Sequence, residues 1–265
     1  MRKRAKKEDF SILTKKEPEK GLTSALKKRA GRSKKGRVTV RHKGGRAKRL
    51  YRIINFGQEK LAVSGKVQAI EYDPNRTCFI ALIKYGDGDR GYILCPKDLK
   101  IGDEIVCAEK TEVKVGNRLK LKNIPIGTSV HNIELSPGGG GKIVRAAGTY
   151  AKVSGHEESY TILEMPSKEI RKVPNECFAS VGQLSREWKK YIILGKAGRK
   201  RHLGIRPTVR GTAMAAVDHP HGGGKGKSPI GLKHPKTPWG KPARGGKTRK
   251  RKWTNRYIIK KKRKK

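Results

Sequence analysis

Short apolar runs separated by turn residues occupy the middle of the chain, between about residues 63 and 180. Within these runs apolar and polar positions alternate, or the run is only a few residues long, which is typical of strands in small sheets. The first predicted strands are Val63–Tyr72, Thr77–Tyr85, Gly91–Cys95, Glu104–Ala108, Glu112–Val115 and Arg118–Leu121. Turn residues at Asp73-Pro74-Asn75-Arg76 and at Gly86–Arg90 separate the first three of these strands. This spacing favours a small, partly open barrel of the oligonucleotide-binding type.

A second set of strands follows the turn segment Ile124-Pro125-Ile126-Gly127. Its members are Val130–Leu135, Lys142–Ala147, Thr149–Val153, Tyr160–Met165, Glu169–Val173 and Glu176–Ser180. Short strands punctuated by glycine and proline predict a second small barrel, of the SH3-like type. The predicted fold class is therefore mainly β, with two barrels at residues 57–122 and 123–194.

The two ends of the chain follow another pattern. Residues 1–56 carry only scattered apolar side chains, with a short helix predicted at Leu22–Arg29, and residues 195–265 carry almost no periodicity. Neither segment can bury a core of its own, so ordering would not be offset by burial. We expect two long, non-globular extensions that become ordered only on a partner.

Charge identifies the chemistry of that partner. Residues 1–56 hold 21 Lys and Arg against 4 acids, and residues 195–265 hold 24 against 1. The middle, residues 57–194, is nearly balanced at 21 against 17. Two basic extensions would repel each other unless a polyanion neutralised them, which favours nucleic acid as the partner.

Several other classes of protein are disfavoured by the sequence. The four cysteines are far apart and form no C-x-x-C pair, so they predict buried thiols and no metal site. No apolar run approaches the roughly 20 residues of a membrane span. The N-terminal residues lack the apolar region of a secretory signal, so we expect an intracellular protein without a membrane partner.

Two glycine-rich segments resemble nucleotide-binding motifs without the required context. Gly86-x-Gly88-x-x-Gly91 has the dinucleotide spacing, but a predicted strand follows it where the mechanism needs a helix. The run His221–Ser228 lacks the first glycine of a P-loop and a preceding strand. Neither segment predicts nucleotide binding.

The extensions contain the residue types that recognise RNA. Arginine offers a planar fork to phosphate, lysine a point charge, glycine a close approach of backbone N–H groups, and Tyr51 and Trp239 rings for stacking. Predicted contacts in the N-terminal extension are Arg37, Arg41, His42, Lys43, Arg46, Lys48, Arg49, Tyr51 and Arg52. Those in the C-terminal extension are Lys196, Arg199, Arg201, Arg206, Arg210, His219, His221, Gly222, Gly223, Gly224, Lys225, Lys227, Lys236, Trp239 and Lys241.

The segment Val217-Asp218-His219-Pro220-His221 could also suggest catalysis or a metal site. No third metal ligand is evident nearby. Loop histidines beside glycine and lysine more often hydrogen-bond to phosphate or stack on bases, so RNA contact is the favoured interpretation.

Many segments together resemble the ribosomal protein L2 family of the large subunit, in its bacterial or organellar form. They are Gly36–Arg52, Ile70–Arg76, Tyr92–Leu94, Asn123–Gly127, His131–Glu134, Arg206–Gly211, Val217–Gly224 and Thr237–Gly240. The resemblance implies the two barrel types and extensions threaded through large-subunit rRNA. It also implies a primary rRNA-binding protein near the peptidyl-transferase centre that supports subunit association and tRNA binding.

The resemblance implies four kinds of partner: large-subunit rRNA, small-subunit rRNA at the subunit interface, tRNA indirectly, and other ribosomal proteins. Peptidyl-transferase activity has been proposed for the family and is disputed, with His219 as the candidate here. We expect a structural protein of a cytoplasmic or organellar ribosome, without enzymatic activity or a cofactor of its own, and with Mg²⁺ bound through rRNA. The alternatives are an RNA-dependent enzyme that uses His219 as general base, and a free nucleic-acid chaperone that binds duplex DNA without sequence preference.

Two short segments depart from the family pattern. The glycine-rich Gly-Gly-Gly-His of the family is Gly44-Gly45-Arg46-Ala47 here, which removes a histidine and adds a cation. The family's Asn-Pro before the histidine loop is Ala215-Ala216 here, which removes an amide and a rigid φ angle.

Overall fold

The structure is a computed structural model that describes residues 9–15, 17–247 and 249–261. The chain forms two compact units. The first comprises the described residues of Met1–Lys27, Arg49–Ile193 and Thr254–Lys265, and the second comprises Lys28–Lys48 and the described residues of Leu194–Trp253. Each predicted extension therefore contributes to both units. Parts of the extensions, residues 1–8 and 262–265, lie outside the described residues, and the four-part division of the chain stays a prediction.

The first unit contains a four-stranded antiparallel sheet. Its strands are β3 (Ser64–Glu71), β4 (Ile80–Tyr85), β5 (Arg90–Leu94) and β6 (Glu104–Val106). Their order across the sheet is β5-β4-β3-β6. β4 is buried on both faces, because its side chains alternate between two hydrophobic clusters. Phe79 and Val67 belong to one cluster, and Ile80 and Tyr92 belong to the other.

The glycines between β4 and β5 form a hairpin, as predicted. The backbone N–H of Gly88 donates to Tyr85 O at 3.0 Å, and Gly88 has φ 89°. A strand therefore follows these glycines where a dinucleotide site would need a helix. The predicted turn at Asp73 is confirmed as well, since Asp73 Oδ1 accepts from the backbone N–H of Asn75 at 2.7 Å.

The first unit also contains a seven-stranded antiparallel sheet. Its strands are β7 (Arg118–Lys120), β8 (Ser129–His131), β9 (Ala151–His156), β10 (Tyr160–Glu164), β11 (Ile170–Pro174), β12 (Phe178–Val181) and β13 (Ile258–Lys260). Their order across the sheet is β13-β11-β10-β9-β8-β12-β7. A third hydrophobic cluster belongs to this sheet and includes Val130, Val153 and Leu163. The two sheets with their separate clusters confirm the predicted mainly β fold and are consistent with small barrel domains.

Some local predictions were wrong. Instead of a helix at Leu22–Arg29, a 3-10 turn at Lys20–Leu22 leads into β1 (Thr23–Ala25), which pairs with β2 (Leu50–Arg52). The apolar helical stripe of this segment is limited to Leu22, Ala25 and Leu26, which is too short to stabilise a helix, so pairing with another strand is the better way to satisfy its backbone.

Two predicted strands, Glu112–Val115 and Lys142–Ala147, are loops. In the second of them Val144 has φ 55°, which interrupts an extended backbone. Arg118–Lys120 forms a strand as predicted, but it pairs with β12 of the seven-stranded sheet and does not extend the four-stranded sheet.

A buried ion pair lies within the first unit. Arg118 Nη2 donates to Glu134 Oε1 at 2.9 Å, and Arg118 Nη1 donates to the backbone oxygen of Asn132 at 2.7 Å. Neither charged side chain is more than 3% exposed. Pairing is what makes two buried charges tolerable here.

The cysteines are buried thiols without a disulfide, as predicted: Cys78, Cys95, Cys107 and Cys177. Burial raises the pKa of Cys78 and of Cys107 to about 11, so both stay protonated near neutral pH. No helix in the described ranges has the length and hydropathy of a membrane span.

Candidate nucleic-acid interface

The second unit holds most of the predicted RNA contacts and has almost no apolar interior. Among its described residues only His219 is buried, at 8% exposure, and none belongs to the three hydrophobic clusters. The unit contains 27 Lys and Arg against a single acid, Asp218. Hydrophobic burial therefore does not stabilise it, and at most one of its cations can be neutralised by an acid of the same unit.

Backbone hydrogen bonds hold the two segments of this unit together. Gly44 N–H donates to Gly204 O at 2.9 Å, and Arg206 N–H donates to His42 O at 3.0 Å. Gly204 has φ 87°, and a Cβ there would lie 3.2 Å from Gly44 O, so glycine permits this close crossing. As a result, the predicted contact Lys43 lies directly opposite Ile205, next to Arg206.

A short helix, α1 (Ala197–His202), precedes this crossing. Its last turn carries Arg199, Lys200, Arg201 and His202. Cations near a helix C-terminus interact favourably with its dipole, and all four side chains are exposed. The helix thus presents a dense group of cations to solvent.

Close packing shapes the histidine loop. The backbone oxygen of Ala215 accepts from Asp218 N–H at 3.1 Å and from His219 N–H at 3.3 Å. A Cβ on Gly222 would lie 2.2 Å from that oxygen, and a Cβ on Gly211 would lie 2.4 Å from His219 Nδ1. These two glycines are required by contacts within the protein, whereas the sequence suggested an approach to RNA as the reason for Gly222.

Hydrogen bonds assign the tautomers of both loop histidines. His219 Nδ1 accepts from His221 N–H at 3.1 Å, and His221 Nε2 accepts from Lys236 N–H at 2.9 Å. In the neutral ring of His219 the proton is then on Nε2, which is a donor. Among the described residues the Asp218 carboxylate makes no hydrogen bond to the His219 ring. It therefore does not orient this ring as the carboxylate beside a catalytic histidine does.

Trp239 lies at the tip of a tight turn. The backbone N–H of Gly240 donates to Thr237 O at 2.9 Å, and Thr237 N–H donates to Lys241 O at 2.7 Å. The Trp239 ring is 78% exposed, and the Arg41 guanidinium lies 5.7 Å from its centre. An exposed indole with a cation on it is suited to stacking on a base.

Three predicted contacts, Arg49, Tyr51 and Arg52, lie in the first unit and are tied to it. Arg49 Nη1 donates to Pro74 O at 2.7 Å, and Arg52, at 8% exposure, donates to Leu50 O at 3.1 Å. The Arg76 guanidinium lies 5.2 Å from the centre of the half-buried Tyr51 ring. Arg52 is therefore largely enclosed by this unit, and its contact with RNA stays a prediction.

The remaining predicted cations are mostly accessible. Exposed are Arg37, Arg41, His42, Lys43, Lys48, Lys196, Arg199, Arg201, Arg206, Arg210, Lys225, Lys227, Lys236 and Lys241. Arg46 is half-buried, and its Nη2 is shielded from solvent without a hydrogen-bond acceptor among the described residues. Such a donor needs an acceptor from another molecule, or a water, to be satisfied.

Sequence reasoning missed a second arginine–aromatic cluster, in the first unit. Arg145 and Arg76 lie 4.4 and 5.4 Å from the centre of the Phe56 ring, beside a cavity of about 490 Å³ that Tyr51 also lines. Arg76 was read only as the end of a turn, and Arg145 only as part of a strand. For Arg76 the available signal was its position at the end of a turn, where side chains are commonly exposed.

Together these features define a class: a mainly β protein with a cationic unit whose described residues form no hydrophobic core, as expected of a protein that contacts a polyanion. Comparison with protein families is more specific. Residues 19–107 match the model described as Ribosomal Proteins L2, RNA binding N-terminal domain, and residues 114–240 match Ribosomal Proteins L2, C-terminal domain. The chain belongs to the ribosomal protein L2 family, whose members are RNA-binding structural proteins of the large ribosomal subunit.

Proposed function

We propose that the second unit is embedded in large-subunit rRNA near the peptidyl-transferase centre, where it supports tRNA binding and the association of the two subunits. Small-subunit rRNA at the subunit interface and, indirectly, tRNA are the further partners. Mg²⁺ bound through rRNA phosphates shares the neutralisation of charge. The ribosome in question is cytoplasmic or organellar.

One observation carries this proposal. The second unit carries 27 cations and is held by backbone crossings, and only one side chain among its described residues is buried. In water such a unit lacks the burial that offsets conformational entropy. Phosphate removes the repulsion between its cations, and counterion release makes the binding favourable.

Arg46 adds a specific contact to this general attraction. Its Nη2 lacks an acceptor within the described protein, and Arg206 packs beside Gly44 in the same crossing. A phosphate oxygen at this position would satisfy the buried donor through a charge-assisted hydrogen bond.

His219 acts in this proposal as a hydrogen-bond donor that positions RNA. A general base must present a free lone pair to the proton it removes. The Nδ1 lone pair of His219 is occupied by His221 N–H, and Nε2 carries the proton. The geometry favours donation from Nε2 to an RNA oxygen over proton abstraction.

The location can be tested with a hydroxyl-radical probe tethered to one cysteine in reconstituted large subunits. The four native cysteines are buried, so an introduced Lys225→Cys would be labelled selectively. We expect cleavage of rRNA around the peptidyl-transferase centre from Lys225→Cys and a different pattern from Lys110→Cys, an exposed site of the first unit. Identical patterns, or no cleavage at that centre, would contradict the proposed location.

The role of His219 is tested by two substitutions. His219→Ala should leave RNA binding by the free protein nearly unchanged and weaken tRNA binding by the particle by about 1–3 kcal/mol, since a buried partner loses its donor. His219→Gln keeps an N–H donor but supplies no base, so it should be closer to the wild type. Normal tRNA binding together with a loss of peptide transfer by several orders of magnitude in both variants would instead support the general-base alternative.

A further inference from the structure

A cavity of about 770 Å³ opens in the first unit, and none of the predicted RNA contacts lines it. Its wall is formed by the segment 53–61, by β5 and by the glycines 138–140. Asn132 Nδ2 and Gly141 N–H both donate to Phe56 O, at 3.1 Å each, and so fasten this segment to the neighbouring loop. These hydrogen bonds fix the wall of the cavity within the folded unit.

One residue that lines this cavity carries a buried polar atom without a partner. Gln58 is 5% exposed, and its Oε1 has no hydrogen-bond partner among the described residues. Asn55 Oδ1 accepts from Gly57 N–H at 3.1 Å and from Gln58 N–H at 2.7 Å, which fixes the turn that carries Gln58. A buried acceptor of this kind needs a donor from an occupant or from a water to be satisfied.

The other lining surfaces are apolar near the mouth. Ile53 is 50% exposed and Leu61 is 53% exposed, and both line the cavity with Leu22 and Phe56. Exposed aliphatic side chains that share a concave surface are suited to cover the aliphatic part of an incoming side chain.

The charges at the mouth do not suit RNA. Lys60 pairs with Asp87 and Asp89, and Arg90 Nη1 pairs with Glu19 at 3.0 Å. Both lining cations are therefore already neutralised by carboxylates of the protein. Glu59 is exposed and makes no ion pair within the described ranges, so the free charge at this mouth is negative.

We propose that this cavity receives a lysine or arginine side chain from an extended basic segment of another protein in the large subunit. The aliphatic stem of that side chain packs on Ile53 and Leu61, its charge lies near Glu59, and an N–H donates to Gln58 Oε1. The inference rests on membership of the family and is independent of the proposed location of the second unit.

Photo-crosslinking in purified, intact large subunits tests the proposal. With benzoylphenylalanine in place of Leu61, we expect mass spectrometry to identify a cross-linked peptide rich in Lys and Arg from a second protein. Benzoylphenylalanine at Ile101, which is 50% exposed and lines a different cavity, should not give that peptide. Cross-links from Leu61 only to rRNA or to this chain's own basic segments, or no cross-link, would overturn the proposal.

Substitutions at the mouth separate the proposed contact from mere proximity. Glu59→Lys should lower the yield of the cross-link by about tenfold, because a like charge opposes the incoming cation. Gln58→Leu should lower it less, by removing the acceptor. Glu157→Lys changes the net charge equally at an exposed site outside the cavity and should leave the yield unchanged. An unchanged cross-link yield in both Glu59→Lys and Gln58→Leu would contradict the assigned contact.

Discussion

Replacing Arg37, Arg41, Lys43 and Arg46 together by glutamine should flatten the salt dependence of RNA binding. The second unit has 27 cations and one acid, so nearly all of its positive charge is available to phosphate. If about ten phosphates are neutralised, the slope of log K against log salt is on the order of −7 with the coefficient for single strands. Each lost phosphate contact removes about 0.7 of that slope, so the four substitutions should reduce it by about 3.

The measurement is a binding titration of the full-length protein with a labelled large-subunit rRNA fragment, between about 50 and 200 mM KCl. A matched control replaces Lys97, Lys114, Lys120 and Lys122 by glutamine. These four lysines pair with carboxylates of the first unit at 2.6 to 3.2 Å, so the same net charge is lost without a loss of phosphate contacts.

Two results would refute this reasoning. A wild-type slope near −2 would mean that most cations of the second unit do not face phosphate. An equal flattening by the control set would mean that net charge alone, and not contact, determines the salt dependence.

Three further predictions concern the free protein. Amides of residues 28–48 and 194–253 should exchange rapidly in the free chain and slowly on rRNA, because the described residues of this unit form no hydrophobic core. Strong protection without RNA would contradict this prediction. Arg118→Met should destabilise the first unit by about 3–5 kcal/mol in urea unfolding, because it leaves the buried Glu134 carboxylate without its partner. The double variant with Glu134→Leu should recover most of that loss. Equal losses in the single and the double variant would argue against the ion pair. Burial lowers the pKa of His131 to about 4. As the pH falls, the unfolded chain therefore binds this proton at a higher pH than the folded chain does. The free energy of unfolding should therefore fall by about 3 kcal/mol as the pH decreases from about 6.5 toward 4, and His131→Asn should remove this loss.

Strands near each other in sequence were the predictable part of the fold. β3, β4 and β5 have alternating or continuous apolar runs joined by turn residues, so local chemistry and final pairing agree. The long-range pairings were not predictable. β13 pairs with β11, and Arg118–Lys120 joins the seven-stranded sheet, because register between distant segments has no local sequence signature.

The candidate interface was likewise predictable from the sequence only in part. Composition predicted which segments carry the cations, since charge is a property of the residues themselves. Composition could not show that Arg52 is turned into the protein, or that Arg76 and Arg145 share the Phe56 ring. Those facts depend on which segments fold against each other.

The departure at Ala215-Ala216 affects the turn before His219 less than the missing proline suggests. The turn before His219 is closed by the backbone oxygen of Ala215, which any residue supplies, and by Gly222, whose Cβ would collide with that oxygen. The turn therefore forms without the rigid φ of a proline. At the other departure, Arg46 brings a guanidinium whose Nη2 has no acceptor among the described residues. Between them, the two changes remove one amide and one histidine and add one cation, so we expect recognition to depend more on phosphate contact and less on side-chain hydrogen bonding.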